Sequence, residues 1–182
     1  MPWNEDHKSH TRYRILESAA VLFSQQGFNG ASIDQVMEHA GLTRGAFYTH
    51  FASKSELYAE ALSWAAQENV ARLKGACPSD RVFDYLSDAH RNSETINCPL
   101  ACLVSDVAQQ DQSVRDTYTR LFAGFVSHCQ STDSNSDDRK QAMQQAVLLI
   151  GGIAISRNLT DEPLAQELLD VCRTLALDLI PT

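Results

Sequence analysis

Residues 31–62, ASIDQVMEHAGLTRGAFYTHFASKSELYAEAL, decide how this chain folds. Ser32 stands where an N-cap hydroxyl accepts from an orphan backbone N–H, and Gln35, three residues on, can reach back, so the pair predicts a capping box and a helix start. Ile33, Val36, Met37 and Ala40 then recur at helical spacing and demand a buried face, leaving Asp34, Gln35, Glu38 and His39 outside. Gly41 supplies the permissive backbone that ends a helix, and Leu42 can tuck beneath the turn. Thr43 is placed to cap a second short helix whose Phe47 and Phe51 point inward at i and i+4. Arg44, Gly45, Ala46, Tyr48, Thr49 and His50 are left facing out. Ser53 and Glu56 form a second box opening a longer helix, with Lys54 in its first turn. A lysine there opposes the helix dipole, which makes sense where a phosphate lies against that end. The pattern is two short helices across a tight turn, running into a connecting helix.

Upstream, Ile15, Leu16, Ala19, Ala20 and Phe23 form the apolar stripe of a preceding helix that stops at Gly27. Arg12 and Arg14 on it are read as DNA-backbone contacts or as part of a solvated face. With TRYRILESAAVLFSQQGF as first helix and LTRGAFYTHFASKSELY as second reader helix and exit, residues 12–62 resemble the DNA-binding domain of the tetracycline-repressor (TetR) family. The glycine, the Phe-Tyr and His-Phe pairs and the Ser-Lys-Ser-Glu cap all fall at family spacing. The resemblance implies an all-α fold. An N-terminal three-helix helix-turn-helix domain, residues 1–55, would be followed by a helical-bundle domain for effector binding and dimerisation, residues 56–182.

On that reading Arg44 is the candidate base contact, since a guanidinium can bridge O6 and N7 of guanine. Gly45 and Ala46 would let the helix backbone approach the groove floor, and Thr49 would meet a thymine methyl or a base edge. Tyr48, His50, Lys54 and Ser32 match positions that family members use on phosphates, fixing register. Tyr48 and His50 have a second reading as packing residues. The partner is double-stranded DNA, a near-palindrome suited to a homodimer.

Charge alone would not suggest DNA. Residues 1–60 carry five Lys and Arg (Lys8, Arg12, Arg14, Arg44, Lys54) against seven Asp and Glu, and the whole chain has a net charge of −8. Affinity for DNA rests on neutralised phosphates, so the interface must concentrate its few cations on one edge and rely on sequence readout and dimerisation.

Beyond the exit helix, expected to end near Lys74 before Cys77-Pro78-Ser79, helices are predicted near 80–92, 99–110, 112–130, 138–158 and 162–180, with a polar loop at 131–138. Val82, Phe83, Leu86 and Ala89 share one side of the first of these. In QQAVLLIGGIAISRNL apolar residues cover nearly the whole circumference, so that helix is buried on two sides, and Gly151-Gly152 permits close approach. The last helix adds Leu164, Leu168, Leu169, Cys172, Leu175, Leu179 and Ile180. Two such helices per subunit predict a four-helix dimer interface, the alternative being closure of the monomer's own core. Trp64, Phe83, Leu86, His90, Cys102, Tyr118, Phe122 and Phe125 are the candidate lining of an effector pocket, with His90 or Tyr118 as polar orienters; ordinary core is the competing reading of the aromatics.

Five cysteines, at 77, 98, 102, 129 and 172, are odd in number and scattered, which argues against a disulfide framework, and their spacing is not that of a zinc site. No cofactor or metal is expected. Pro99 fits a first helical position, placing Cys98 at an N-cap where the dipole lowers a thiol pKa. Cys102 one turn later would resolve an oxidised partner, so the pair is a candidate oxidant or electrophile sensor, set against a reading as buried small hydrophobes. No apolar run approaches the roughly 18 residues of a membrane span, and MPWNEDHKSH lacks a signal core, so cytoplasm is the expected location. No nucleophile motif, paired carboxylates in an apolar setting or phosphate-cradling loop suggests an enzyme. The sequence therefore points to a ligand-responsive repressor, with a helical protein-interaction module as the rival.

Overall fold

The apolar stripe of the first helix holds the N-terminal unit together. In a computed structural model, which describes residues 5–92, 97–130 and 136–180, helix α1 (Glu5–Gly30) buries Ile15, Leu16, Ala19, Leu22 and Phe23. Its regular run breaks at Gly27, with φ 68° and ψ 178°. Helices α2 (Ile33–His39) and α3 (Arg44–His50) follow, and α4 (Lys54–Arg72) carries the chain into the second unit. Val36 and Met37 from α2, Phe47 from α3, Phe51 after it, and Leu57, Tyr58, Ala61 and Leu62 from α4 close over the α1 stripe. Leu103, Val107 and Val114 from farther along join the same core.

A second core lies between α5 (Pro78–Tyr85), α7 (Pro99–Cys102), α10 (Ser136–Ser156) and α11 (Glu162–Asp178), built from Val82, Tyr85, Leu86, Leu100, Ala101, Leu149, Ile150, Ile153, Leu169, Cys172 and Ala176. Helix α9 (Gln112–Cys129) packs against both α4 and α10, so its Tyr118 and Leu121 touch the two cores at once. Among the described residues there is no strand, and no helix is long and apolar enough to cross a membrane.

Two predicted helices are each broken in two. The 80–92 element is α5 and then α6 (Asp88–Arg91): Leu86 leaves helical geometry, and the Ser87 hydroxyl accepts from His90 N at 3.2 Å to cap a new turn. The 99–110 element is α7 and then α8 (Val104–Val107), divided at Leu103 (φ −119°, ψ 13°). The reason is packing: Leu100 and Ala101 are sunk in the second core and Leu103 in the first, so the chain must turn between them. The loop expected at 131–138 lies largely outside the described residues, and residues 136–138 already belong to α10.

Candidate nucleic-acid interface

The turn between α2 and α3 is a Schellman closure. Gly41, at φ 64°, donates to Glu38 O, and Leu42 N donates to Met37 O, both at 2.9 Å. The Arg14 guanidinium donates to Ala40 O at 2.5 Å, tying off the carbonyl end of α2. Arg12 pairs with Glu60 and lies 4.8 Å over the Phe51 ring. Within the protein, then, both arginines of the first helix are half-buried and brace the N-terminal unit.

Caps set the start of each short helix. Ser32 and Gln35 form the full box, with Ser32 N donating to the Gln35 amide oxygen at 2.8 Å and Gln35 N donating to Ser32 Oγ at 3.2 Å. Thr43 occupies the N-cap of α3 with extended backbone, but its hydroxyl makes no cap hydrogen bond. Ser53 Oγ accepts from Glu56 N, while the Glu56 carboxylate reaches past the cap to Ala52 N at 2.6 Å. The second box is thus shifted by one residue, because the extended approach at Ser53 brings the Ala52 N–H within reach.

With Phe47 and Phe51 buried and stacked at 5.8 Å, α3 turns its other face outward. Arg44, Gly45, Tyr48 and Thr49 are exposed, Tyr48 at 60%. A Cβ added at Gly45 would meet nothing within 4 Å, so this stretch presents bare backbone. Ala46 is half-buried against the core, not free as the sequence suggested, since it lies on the Phe47 side of the helix. The Arg44 guanidinium has the Tyr48 hydroxyl and then Asp34 beside it, which together hold it firmly charged. Ser32 is exposed at the head of α2.

His50 and Lys54 sit at the far edge. His50 is half-buried, its Nδ1 shielded with no hydrogen-bond partner, and burial followed by the charges of Lys8 and Arg12 pushes its pKa below the ordinary histidine value. Lys54 turns inward: its ammonium donates to the Phe28 carbonyl and lies 4.3 Å over the Phe28 ring. The lysine therefore caps the broken end of α1, which no local pattern around residue 54 could reveal. Sequence reasoning also missed Asp34, whose carboxylate accepts from Arg44 across the turn at 2.7 Å.

The residues expected to line an effector pocket do not converge. Trp64 is buried beside Tyr13, edge to face at 5.6 Å, on the reader side of α4. Phe83 is 52% exposed beneath the Arg173 guanidinium, because Val82 and Tyr85 are the residues of α5 that face the core. Leu86 is fully buried core. His90 is buried and satisfied: its Nδ1–H donates to Tyr85 O at 2.7 Å, and Nε2 accepts from Cys98 N at 3.2 Å, so both ring nitrogens are taken in tying α6 to α7. Phe125 packs on Tyr85 at 5.5 Å. Tyr118 and Phe122 do share a groove of about 330 Å³, together with Val104, Val147, Ile150 and Gly151. Tyr118 commits its hydroxyl to Leu100 O at 2.8 Å and offers the groove its ring.

Cys98 is the N-cap of α7 as expected, yet its thiol is pushed up, not down. It is buried, and desolvation outweighs the dipole of a four-residue helix. Burial likewise raises Cys102 to about 11, although Arg157 Nη1 lies 3.0 Å from its sulfur. Burial at Cys98 and partial burial at Cys102 thus favour the protonated thiols, which fits small hydrophobes better than a reactive thiolate.

Comparison with known proteins follows the same division. The family described as bacterial regulatory proteins, tetR family, matches residues 15–61. The HTH-type transcriptional regulator AcrR of Shigella flexneri is 45% identical over 65 residues, 35% of this chain and 29% of that protein. The HTH-type transcriptional regulator TtgR of Pseudomonas putida is 30% identical over 146 residues, 79% of this chain and 62% of that one. The chain thus spans between about three and six tenths of these relatives. A crystal structure of a TetR-family transcriptional regulator from Cytophaga hutchinsonii superposes with a TM-score of 0.75, covering 97% of this chain and 98% of that one, at 19% identity, a likeness of fold.

Proposed function

The chain belongs to the tetR family of bacterial regulatory proteins, and from that premise we infer a transcriptional repressor that reads duplex DNA through α3. The observation that carries the reading is the exposed file Arg44, Gly45, Tyr48 and Thr49, standing over the buried Phe47 and Phe51. A helix that presents a guanidinium, bare backbone and two hydroxyls on one edge fits the major groove. Ser32 at the head of α2, His50 at the end of α3 and Lys54, once released from Phe28, would grip phosphates on either side.

Dimerisation is supported by two files of exposed apolar side chains. Val147 and Ile155 flank Gly151 on α10, and Leu164, Val171 and Leu175 run along α11. The opposite faces of both helices, including Ile153, Leu169 and Cys172, fill the monomer's core, so the outer files are left for a second copy. The effector is a small, largely apolar molecule held in the groove of Tyr118, Phe122 and Val104. Its wall Val104 belongs to α8, which also touches the reader, and occupancy would shift the equilibrium away from the DNA-binding arrangement.

Selection from a random duplex library with purified protein at moderate salt tests this. The expected result is one near-palindrome with half-sites about one helical turn apart, or a multiple of it. Failure to enrich any duplex would favour the protein-interaction reading instead.

A further inference from the structure

Phe28 follows the glycine at which α1 leaves helical geometry, and both of its backbone polar groups are taken by charged side chains from elsewhere. Its N–H donates to Asp106 Oδ1 at 3.2 Å, and its carbonyl accepts from Lys54. The second oxygen of Asp106 accepts from the Tyr58 hydroxyl. Tyr58 is fully buried, edge-on to Phe23 at 4.8 Å and to Phe28 at 5.2 Å. A Cβ on Gly27 would fall 2.9 Å from Asp106 Oδ1, so the carboxylate fills the space that glycine leaves.

Asp106 belongs to α8, a single turn of the second unit, and lies 78 residues from Phe28 and 48 from Tyr58. It therefore joins three elements: the end of α1, the first turns of α4, and the body. The reader is joined covalently to the body through α4 alone. The covalent joint alone allows rotation about the helix; Leu103, Val107 and Val114 pack on the reader core without directional bonds, and a polar attachment off-axis at the end of α1 fixes the tilt. A further polar tie from α1 to the body is a single neutral hydrogen bond, Asn97 Nδ2 to Ser24 Oγ at 3.2 Å. A carboxylate that accepts twice, once from a buried hydroxyl, is the stronger strut, because losing it strands a buried donor.

We propose that Asp106 is a positioning residue for DNA reading: by holding Phe28 N–H and Tyr58 Oη together it fixes the angle at which the reader leaves the body, and hence the separation of the two readers in a dimer. This rests on the dimeric DNA-reading function inferred above. Its distinguishing consequence is that Asp106 governs the spacing of half-sites while leaving the reading of each half-site alone.

The test uses the full-length protein and Asp106→Ala, Asp106→Asn and Tyr58→Phe, titrated against the selected palindrome, against versions with one base pair added or removed between half-sites, and against a single half-site. Asp106→Ala is expected to lose about ten-fold in affinity for the palindrome, keep the half-site affinity of the wild type, and bind the three spacings nearly equally. Tyr58→Phe, which removes one arm and leaves the core packed, should show the same flattening to a smaller degree even if the alanine variant does not fold. Asp106→Asn retains an acceptor for Phe28 and should restore part of the spacing preference. Equal losses on half-site and palindrome, or an unchanged spacing preference, would overturn the proposal. A wild type that binds neither DNA would instead overturn the DNA-reading function and this inference with it.

Discussion

Arg44 Nη1 donates to Asp34 Oδ2 at 2.7 Å, joining the recognition helix to the helix before it across the Gly41 turn. Both side chains are about three-fifths exposed, and a pair so open to water adds little to stability. The guanidinium can leave it readily for a better partner.

Arg44→Ala should therefore cost about 1–3 kcal/mol on the selected site and flatten the preference at one base pair. Asp34→Asn should act the other way, since it frees Arg44 and removes a negative charge facing the phosphates: binding to unrelated DNA rises and discrimination narrows. Anisotropy titrations with single-base variants of the site check both. An Arg44→Ala protein weakened equally on all sequences would exclude a base-reading role.

The parts of this site that the sequence made legible are local. Ser32 with Gln35, Gly41 and the buried Phe47 and Phe51 can be read directly because each depends on residues within a turn. What stayed hidden depends on residues far apart. Lys54 turns to a carbonyl exposed by a break 26 residues upstream, and Arg14 caps a helix end equally distant. Asp106 meets the reader across 78 residues. The N-cap position of Cys98 was visible, yet the direction of its pKa shift was not, because desolvation is set by packing from α5 and α10. Likewise Phe83 shares a helical pattern with true core residues, yet Val82 and Tyr85 take the core face of α5, while the break at Leu86 and the new turn after it lock His90 inside.

Operator binding is expected to depend on pH through His50. In the free protein its pKa lies below the ordinary value, through burial and then the charges of Lys8 and Arg12. A DNA phosphate at this edge would favour the protonated ring, so binding takes up a proton. Affinity should then rise as pH falls from about 8 to about 6. In His50→Gln the slope should flatten. Parallel pH profiles for the two proteins would remove His50 from the contact.

Gly27 and Gly45 should respond oppositely to alanine. Gly27 holds φ 68° and ψ 178°, a region open to glycine alone, with Asp106 Oδ1 2.9 Å from where a Cβ would lie. Gly27→Ala should lose about 1–3 kcal/mol, seen as a lower Tm. Gly45→Ala has open space and a helical backbone, so stability should hold or rise by about 0.5–1 kcal/mol, while affinity for the operator falls as the new methyl keeps the helix from the groove floor. A Gly45→Ala protein with full affinity would argue against close backbone approach.

Acid should loosen the link between α6 and α7. His90 is buried, and burial, together with the charges of Arg72 and Arg157, outweighs its bond to Tyr85 O and the nearby Asp84, so its folded pKa lies below 6.5. Above that pH neither state carries the proton and no stability is lost. As pH falls through about 6.5 the unfolded chain binds a proton that the folded one refuses, and stability declines by up to about 1.4 kcal/mol per pH unit until the folded group titrates. His90→Gln should be less stable at neutral pH but should lose less on acidification between about pH 6.5 and 5. Thermal melts across that range decide it, and equal slopes would show that other groups carry the acid sensitivity.

The outer faces of α10 and α11 make the last prediction. Val147 and Ile155 are 59% and 55% exposed, and Leu164, Val171 and Leu175 lie between 47% and 52%. On a single copy this is a band of apolar surface following helical spacing on two adjacent helices, the pattern a bundle interface needs. Ile155→Lys with Val171→Glu places charges on that band outside both the core and the groove of Tyr118 and Phe122, so helix content by circular dichroism should stay as in the wild type. Sedimentation at micromolar concentration should show a monomer where the wild type is a dimer. Affinity for a single half-site should be kept and affinity for the palindrome should fall toward it, because the second reader is no longer delivered by the first. A wild type that sediments as a monomer would assign the band to another partner, and a charged variant that remains a dimer would move the interface elsewhere on the chain.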